Sequence, residues 1–320
     1  MEIISEARTV EGLPFSRLIP ALEAMFASGC CVPLRHSHVV GTEDCGKGTL
    51  LLMPAWQDGK RLGVKTVSIY PDNQRRGLPG LHSVFILYDA ATGVPLALLD
   101  GNVITSRRTA AASALAAKYL SRKDASSMLV VGAGRVASLL PEAYQAVRPI
   151  EEVKVWDINT ELAASFVDRL GRAGLRAQLA SDLEAAVASA DIVSCATLST
   201  APLVRGGWLK PGAHLDLIGS FTPAMRESDD ECFRLSTVFV DTEEAPMKAG
   251  DILEPITRGV FRKSEIAGDL AALCRGSHPG RKTQEEITLF KAVGTALEDL
   301  AAASLAFDCH SASTSQLMEA

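Results

Sequence analysis

The chain has 320 residues, 47% of them hydrophobic and 22% charged, more than one core usually organises, so two domains are expected. Its formal charge of −6 comes from 38 acidic against 32 basic residues with no Lys/Arg block, which argues against a nucleic-acid partner. The first residues lack the basic-then-apolar order of a secretory signal, and no apolar run has the length of a bilayer span, so a cytoplasmic protein with no membrane partner is expected.

Seven cysteines (Cys30, Cys31, Cys45, Cys195, Cys232, Cys274 and Cys309) make an odd number without CxxC spacing or a disulfide framework, which fits a reducing compartment. His36 and His38 beside Cys30 and Cys31 have zinc-ligand chemistry, but no second ligand cluster accompanies them, and no metal is expected.

In chain order, Leu18, Ile19, Leu22, Met25 and Phe26 recur at helical spacing between Phe15 and Ser28, and Gly29 follows as a stop. From Thr49 to Leu99 the pattern changes to short apolar runs: 50–53, 64–70, 84–88 and 95–99. Turn signals at Asp58-Gly59, Pro71-Asp72-Asn73 and Ala90–Gly93 separate them, and an antiparallel sheet is predicted. The alanine-dense segment Thr109–Tyr119 reads as a helix joining two domains.

Strand and helix then alternate. Strands are predicted at 127–131, 153–156, 192–195, 214–218 and 237–240, and helices near 160–171 and 182–188, the grammar of a doubly wound parallel sheet. A helical pattern over 284–306 follows the last of these units and returns to the first domain, while residues 311–315 read as a loose tail. The predicted α/β fold is therefore a Rossmann-type dinucleotide-binding domain, residues 119–295, plus a discontinuous α+β domain, residues 1–118 and 296–320, for substrate binding and dimerisation.

The strand Ser127–Val131 runs straight into Gly132-Ala133-Gly134-Arg135-Val136-Ala137, a G-x-G-x-x-A turn opening a helix. The first glycine permits the tight turn, the second lets a pyrophosphate approach the backbone, and the following amides favour an anion. Asp157 ends the next strand about 25 residues beyond Gly132, near the roughly 20 expected for the acid that binds the ribose hydroxyls. It favours NADH, with NADPH as the alternative that Arg135 keeps open; a rival reading makes Asp157 a helix cap. Pro141, inside the helix expected after Gly134, predicts a kink or a short first helical piece.

Taken together, Arg35 after Val32-Pro33-Leu34, Gly63–Val67, Leu99–Gly101 through Arg108–Ala111, Gly132-Ala133-Gly134 and Glu285–Lys291 make the chain resemble the ornithine cyclodeaminase/μ-crystallin family over nearly its whole length. The resemblance implies a homodimer built on the antiparallel sheet and joined to a Rossmann domain. It also implies that Arg35, Lys65 and Arg108 hold the carboxylate of a small imino or amino acid near the nicotinamide. Guanidinium groups suit that task because they grip a carboxylate with two parallel hydrogen bonds. Without the resemblance, Lys65 reads as a solvated edge residue and Arg108 as a surface ion pair. Thr109 matches a family position near the cofactor, Thr197 sits on a loop lining the nicotinamide side, and Asp251 falls in a family motif whose role could equally be a loop cap.

The loop Gly219-Ser220-Phe221-Thr222-Pro223 departs from the cyclodeaminases, which carry an aspartate where Phe221 aligns. Phenylalanine transfers no proton, which argues against deaminating cyclisation. The loop resembles instead that of the family's cyclic ketimine reductases, which use NAD(P)H on Δ1-pyrroline-2-carboxylate and Δ1-piperideine-2-carboxylate to form proline and pipecolate. In that reading Phe221 lines the substrate pocket, and Lys65 is the proton donor or electrostatic partner, with Ser220 beside the cofactor as another donor. Ornithine cyclodeamination, alanine dehydrogenation and μ-crystallin-like ligand binding are the rivals.

Overall fold

The computed structural model describes residues 1–41 and 46–319; Cys45 lies outside them. In chain order the elements are β1 (Glu2–Ile4), α1 (Glu6–Glu11), α2 (Phe15–Ser28), β2 (His36–Val40), β3 (Gly48–Trp56), β4 (Arg61–Ile69), β5 (Leu81–Asp89), β6 (Pro95–Asp100) and α3 (Gly101–Leu120). Then come β7 (Ser127–Val131), α4 (Leu140–Gln145), β8 (Glu152–Trp156), α5 (Thr160–Arg172), β9 (Arg176–Leu179), α6 (Leu183–Ser189), β10 (Ile192–Cys195), β11 (His214–Leu217), α7 (Asp230–Leu235) and β12 (Thr237–Val240). The chain ends with α8 (Ala245–Lys248), α9 (Gly250–Thr257), β13 (Gly268–Asp269), α10 (Leu270–Cys274), β14 (Thr288–Lys291) and α11 (Ala296–Glu319).

Two compact units emerge: Met1–Arg108 with Thr295–Ala320, and Thr109–Gly294. The division falls within α3, earlier than the boundary after residue 118 that the alanine-rich helix suggested. Among the described residues no helix is long and apolar enough to cross a membrane.

The first unit is a six-stranded sheet in the order β1-β6-β5-β4-β3-β2. Strands β2 to β6 pair antiparallel as expected, and β1 adds itself parallel to β6. Alternation along β4 buries Gly63, Lys65 and Val67 and turns Val64, Thr66 and Ser68 the other way. Helix α11 packs on the buried face against β3, β4 and β5, and α2 packs against α11. α2 contributes Phe15, Leu18, Ile19, Leu22 and Phe26, and α11 contributes an alanine-rich stripe that includes Ala301, Ala302, Ala303 and Ala306. Residues 311–315 belong to α11 and are not a separate tail.

The second unit is an eight-stranded parallel sheet in the order β13-β12-β14-β11-β10-β7-β8-β9. From β7 the chain winds outward through β8 and β9, then returns to the other side of β7 as β10, which places the topological switch point between β7 and β10. The helical reading of 284–306 is corrected at its start. Thr288–Lys291 is a fully buried strand between β11 and β12, and the helix begins only at Ala296. Pro141 does shorten the first helical piece: Ala137–Leu139 forms a 3-10 turn, and Pro141 lies in the first turn of α4, where its missing N–H leaves no bond unmade.

Candidate functional site

In the first unit, Ile4, Leu99, Phe85, Lys65 and Met53 form one transverse row across β1, β6, β5, β4 and β3. Lys65 therefore replaces an apolar residue in a buried row and is only 2% exposed. The solvated-edge reading does not hold. Burial pulls its ammonium down to about 8, against the opposing pull of Asp299.

Asp299 lies in the first turn of α11 and is completely buried. Its Oδ2 lies 2.7 Å from Lys65 Nζ, and its Oδ1 accepts from Arg108 Nε at 2.9 Å. Glu298 Oε2 accepts from Arg108 Nη1 at 2.6 Å. Arg108 is likewise buried, so it is no surface ion pair. Although burial works against its charge, Asp299 and Glu298 hold the guanidinium above its ordinary range. Burial also works against ionised Asp299, and there too the partners prevail, with Lys65 and Arg108 keeping its carboxyl below the usual range.

Sequence reasoning missed Glu298 and Asp299. The available signal was an acidic pair set between apolar residues at the start of α11, where every neighbouring position points to a buried face. Arg35 stands half-buried ahead of β2, whose first residue His36 pairs with Leu52 of β3, next to Met53 in the Lys65 row.

In the second unit, Gly132 follows β7 with φ of 113°, and a Cβ there would lie 2.8 Å from the carbonyl oxygen of Ala196, so only glycine fits. A Cβ on Gly134 would meet nothing, so this side of the turn is open to a ligand. Arg135 is exposed, and Val136 is half-buried beside it. Asp157 Oδ2 accepts from the amide of Ala133 at 2.8 Å and Oδ1 from that of Asn159 at 2.7 Å. The helix cap is Asn159, whose side chain accepts from Glu161 and Leu162, so the capping reading of Asp157 is corrected. Its carboxylate instead joins the end of β8 to the glycine turn. An open glycine turn at a switch point, with an acid fixed beside it, fits a dinucleotide.

Thr197 follows β10, and Gly219 follows β11 so closely that a Cβ on it would lie 1.9 Å from the Thr197 carbonyl oxygen. Glu227 ties these two loops together. Its Oε1 accepts from the Thr197 amide and hydroxyl at 2.6 and 2.8 Å, and Oε2 from the Gly219 amide at 2.7 Å. Beneath it, Asp251 accepts from the amides of Glu227 and Ser228 at 2.8 and 3.1 Å and lies 3.4 Å from buried Lys291. Asp251 thus clamps a loop from below. Burial, reinforced by Asp251, pushes the Glu227 carboxyl up to about 7.

Ser220 is buried, donating to the Met225 carbonyl at 2.6 Å and accepting from the Asp251 amide at 3.3 Å. Phe221, by contrast, is 46% exposed, so its ring belongs to no core. Asp216, inside β11, accepts from Ser113, Tyr144 and Ser194 and is sealed from solvent, which removes it as a proton carrier. Thr109 is half-buried in α3. A cavity of 680 Å³ lined by Lys118, Arg122, Arg148 and Arg281 lies at the opposite end of the strands, beside the segments that lead into β7, β11 and β14. Arg148 and Arg281 spend their donors chiefly on carbonyls at the end of α3 and in nearby loops.

The model of the ornithine cyclodeaminase/mu-crystallin family matches residues 2–314. The Δ1-pyrroline-2-carboxylate reductase of Colwellia psychrerythraea is 37% identical, over 95% of this chain and 97% of that protein. The solved structure of Thermococcus litoralis Δ1-pyrroline-2-carboxylate reductase with NADH and L-proline superposes with a TM-score of 0.89 at 36% identity, covering 96% of this chain and 97% of that one. An archaeal alanine dehydrogenase dimer with bound NAD gives 0.88 at 30% identity, covering 96% and 95%. The chain belongs to the ornithine cyclodeaminase/mu-crystallin family.

Proposed function

We propose that this protein reduces Δ1-pyrroline-2-carboxylate to proline with a nicotinamide dinucleotide, NADH being preferred, and that it takes the six-membered Δ1-piperideine-2-carboxylate as a second substrate, giving pipecolate. The observation that carries this reading is the Gly219–Pro223 loop. It presents the exposed Phe221, while the flanking carboxylates of Asp216 and Glu227 are buried and occupied by hydrogen bonds. Expelling ammonia from ornithine needs an acid/base group there, whereas reducing a C=N bond does not. The relatives support the same chemistry.

The glycine turn 132–134 with Arg135 and Val136, together with Asp157, Thr109, Thr197 and Ser220, would hold the dinucleotide. When bound, it supplies the hydride. Lys65, Arg108 and Arg35 hold the substrate carboxylate in this reading. Lys65 and Arg108 are already balanced by Asp299 and Glu298, and Arg35 adds a third cation. A charged Lys65 also has a proton to give the ring nitrogen, and Ser220, whose hydroxyl is committed to Met225, is the weaker candidate.

A homodimer is part of the proposal. The sheet face of the first unit turned away from α2 and α11 carries Leu50, Leu52, Val64, Ile86 and Leu98, all only half-buried, and the alanine dehydrogenase relative is a dimer. Cofactor oxidation measured with both ring sizes in parallel, alongside ammonia release from ornithine and NAD, tests the reading.

A further inference from the structure

We propose that Asp299 is the positioning residue for Lys65: its buried carboxylate fixes the ammonium in place and keeps it protonated, while its second oxygen locks Arg108 alongside. The inference rests on the reductase reading for its catalytic meaning, but its physical content stands in the first unit alone.

Lys65 sits in an apolar row, where a lone ammonium would shed its proton rather than stay charged without water. Its strand neighbours in that row, Met53 and Phe85, are uncharged. The charged groups that face it are Asp299 and Glu298 from α11 and Arg108 from α3, and Arg108 works against its charge. Asp299 Oδ2 lies against Nζ at 2.7 Å. Glu298 is engaged with Arg108 at 2.6 Å. One carboxylate thus bridges two cations from different elements, and Nζ is held at the level of Arg108, as two anchors for one substrate carboxylate require.

The experiment uses the full chain. Lysine 13Cε resonances titrated without ligand read the Lys65 proton directly, in wild type, Asp299→Asn and Asp299→Glu. Wild-type Lys65 is expected to titrate near 8. Asn, though nearly isosteric, should lower that midpoint by roughly one to three pH units, and Glu, though larger, should restore it. A packing role predicts the reverse order of damage. An Asn midpoint indistinguishable from wild type would overturn the proposal.

Should Asp299→Asn not fold, adding Lys65→Met is expected to restore folding by removing the stranded charge, and failure to do so would also overturn it. In the reductase assay the alkaline limb of kcat/KM should move down with the titration midpoint, and a limb that stays put while the midpoint shifts would refute the catalytic part. Absence of reductase activity in wild type, with the Lys65 shift intact, would count against the ketimine reading and leave the hold of Asp299 on Lys65 established.

Discussion

Glu227 accepts hydrogen bonds from both the amide and the hydroxyl of Thr197, at 2.6 and 2.8 Å, while its other oxygen takes the amide of Gly219. One side chain thereby fixes the loops that follow β10 and β11, two adjacent strands beside the switch point. Glu227→Gln presents an NH₂ group to one of these donors, so a buried N–H loses its acceptor, at about 1–3 kcal/mol. We expect a lower Tm and a raised KM for the dinucleotide with little change in KM for the imino acid. Equal changes in both constants would contradict the assignment of these loops to the cofactor.

The same residue has a pH signature. Its carboxyl is raised from 4.5 to about 7, so between these values the unfolded chain ionises while the folded protein holds the proton, and stability falls as pH rises through that window. Buried His214, lowered from 6.5 to about 3 chiefly by burial, acts oppositely: the unfolded chain gains a proton that the folded protein refuses, so stability falls as pH drops through its window. Urea midpoints of wild type minus Glu227→Gln, measured from about pH 4.5 to 7, isolate the contribution of Glu227. That difference should decline with rising pH, and a flat difference would show that Glu227 is ionised throughout.

The anchor residues should separate folding from binding. Arg108→Met removes the guanidinium shared by Glu298 Oε2 and Asp299 Oδ1, two buried carboxylates, and should cost roughly 3–5 kcal/mol of stability. Arg35→Met, at a half-buried position ahead of β2, should leave Tm nearly unchanged and raise the substrate KM sharply. Thermal denaturation beside steady-state kinetics distinguishes the two; a normal KM in folded Arg35→Met would remove Arg35 from the site.

Much of this was legible in the sequence because each feature has a local cause. The glycine turn after β7 is written in consecutive residues, and the alternation along β3 to β6 marks a sheet. What escaped depends on distant partners. Thr288–Lys291 is a four-residue strand that follows closely on Glu285 and Glu286, and its pairing comes from the distant strands β11 and β12. Glu298 and Asp299 look like a solvated helix start until Lys65 and Arg108 come to meet them. Glu227 stands about six residues beyond Phe221 in the sequence, and its engagement with Thr197 and Gly219 is tertiary.

In the proposed reading, cofactor choice rests on Asp157. Its carboxylate joins the glycine turn to the end of β8 through Ala133 and Asn159, and a 2′-phosphate brought near it would be repelled. NADH should show the higher kcat/KM, and Asp157→Ser should narrow or reverse the preference while weakening both cofactors by loosening the turn. Wild type at least roughly tenfold better with NADPH, a difference of about 1.4 kcal/mol, would contradict the ribose assignment.

The central claim is that the Gly219–Pro223 loop leaves C=N reduction intact and removes deamination. Wild-type protein with NADH and Δ1-pyrroline-2-carboxylate should oxidise the cofactor and form proline, while the same preparation with ornithine and NAD should release no ammonia above background. General acid/base catalysis is typically worth about 10²–10⁴-fold, so the contrast should be large. Ammonia release from ornithine at a rate comparable with ketimine reduction would contradict the account.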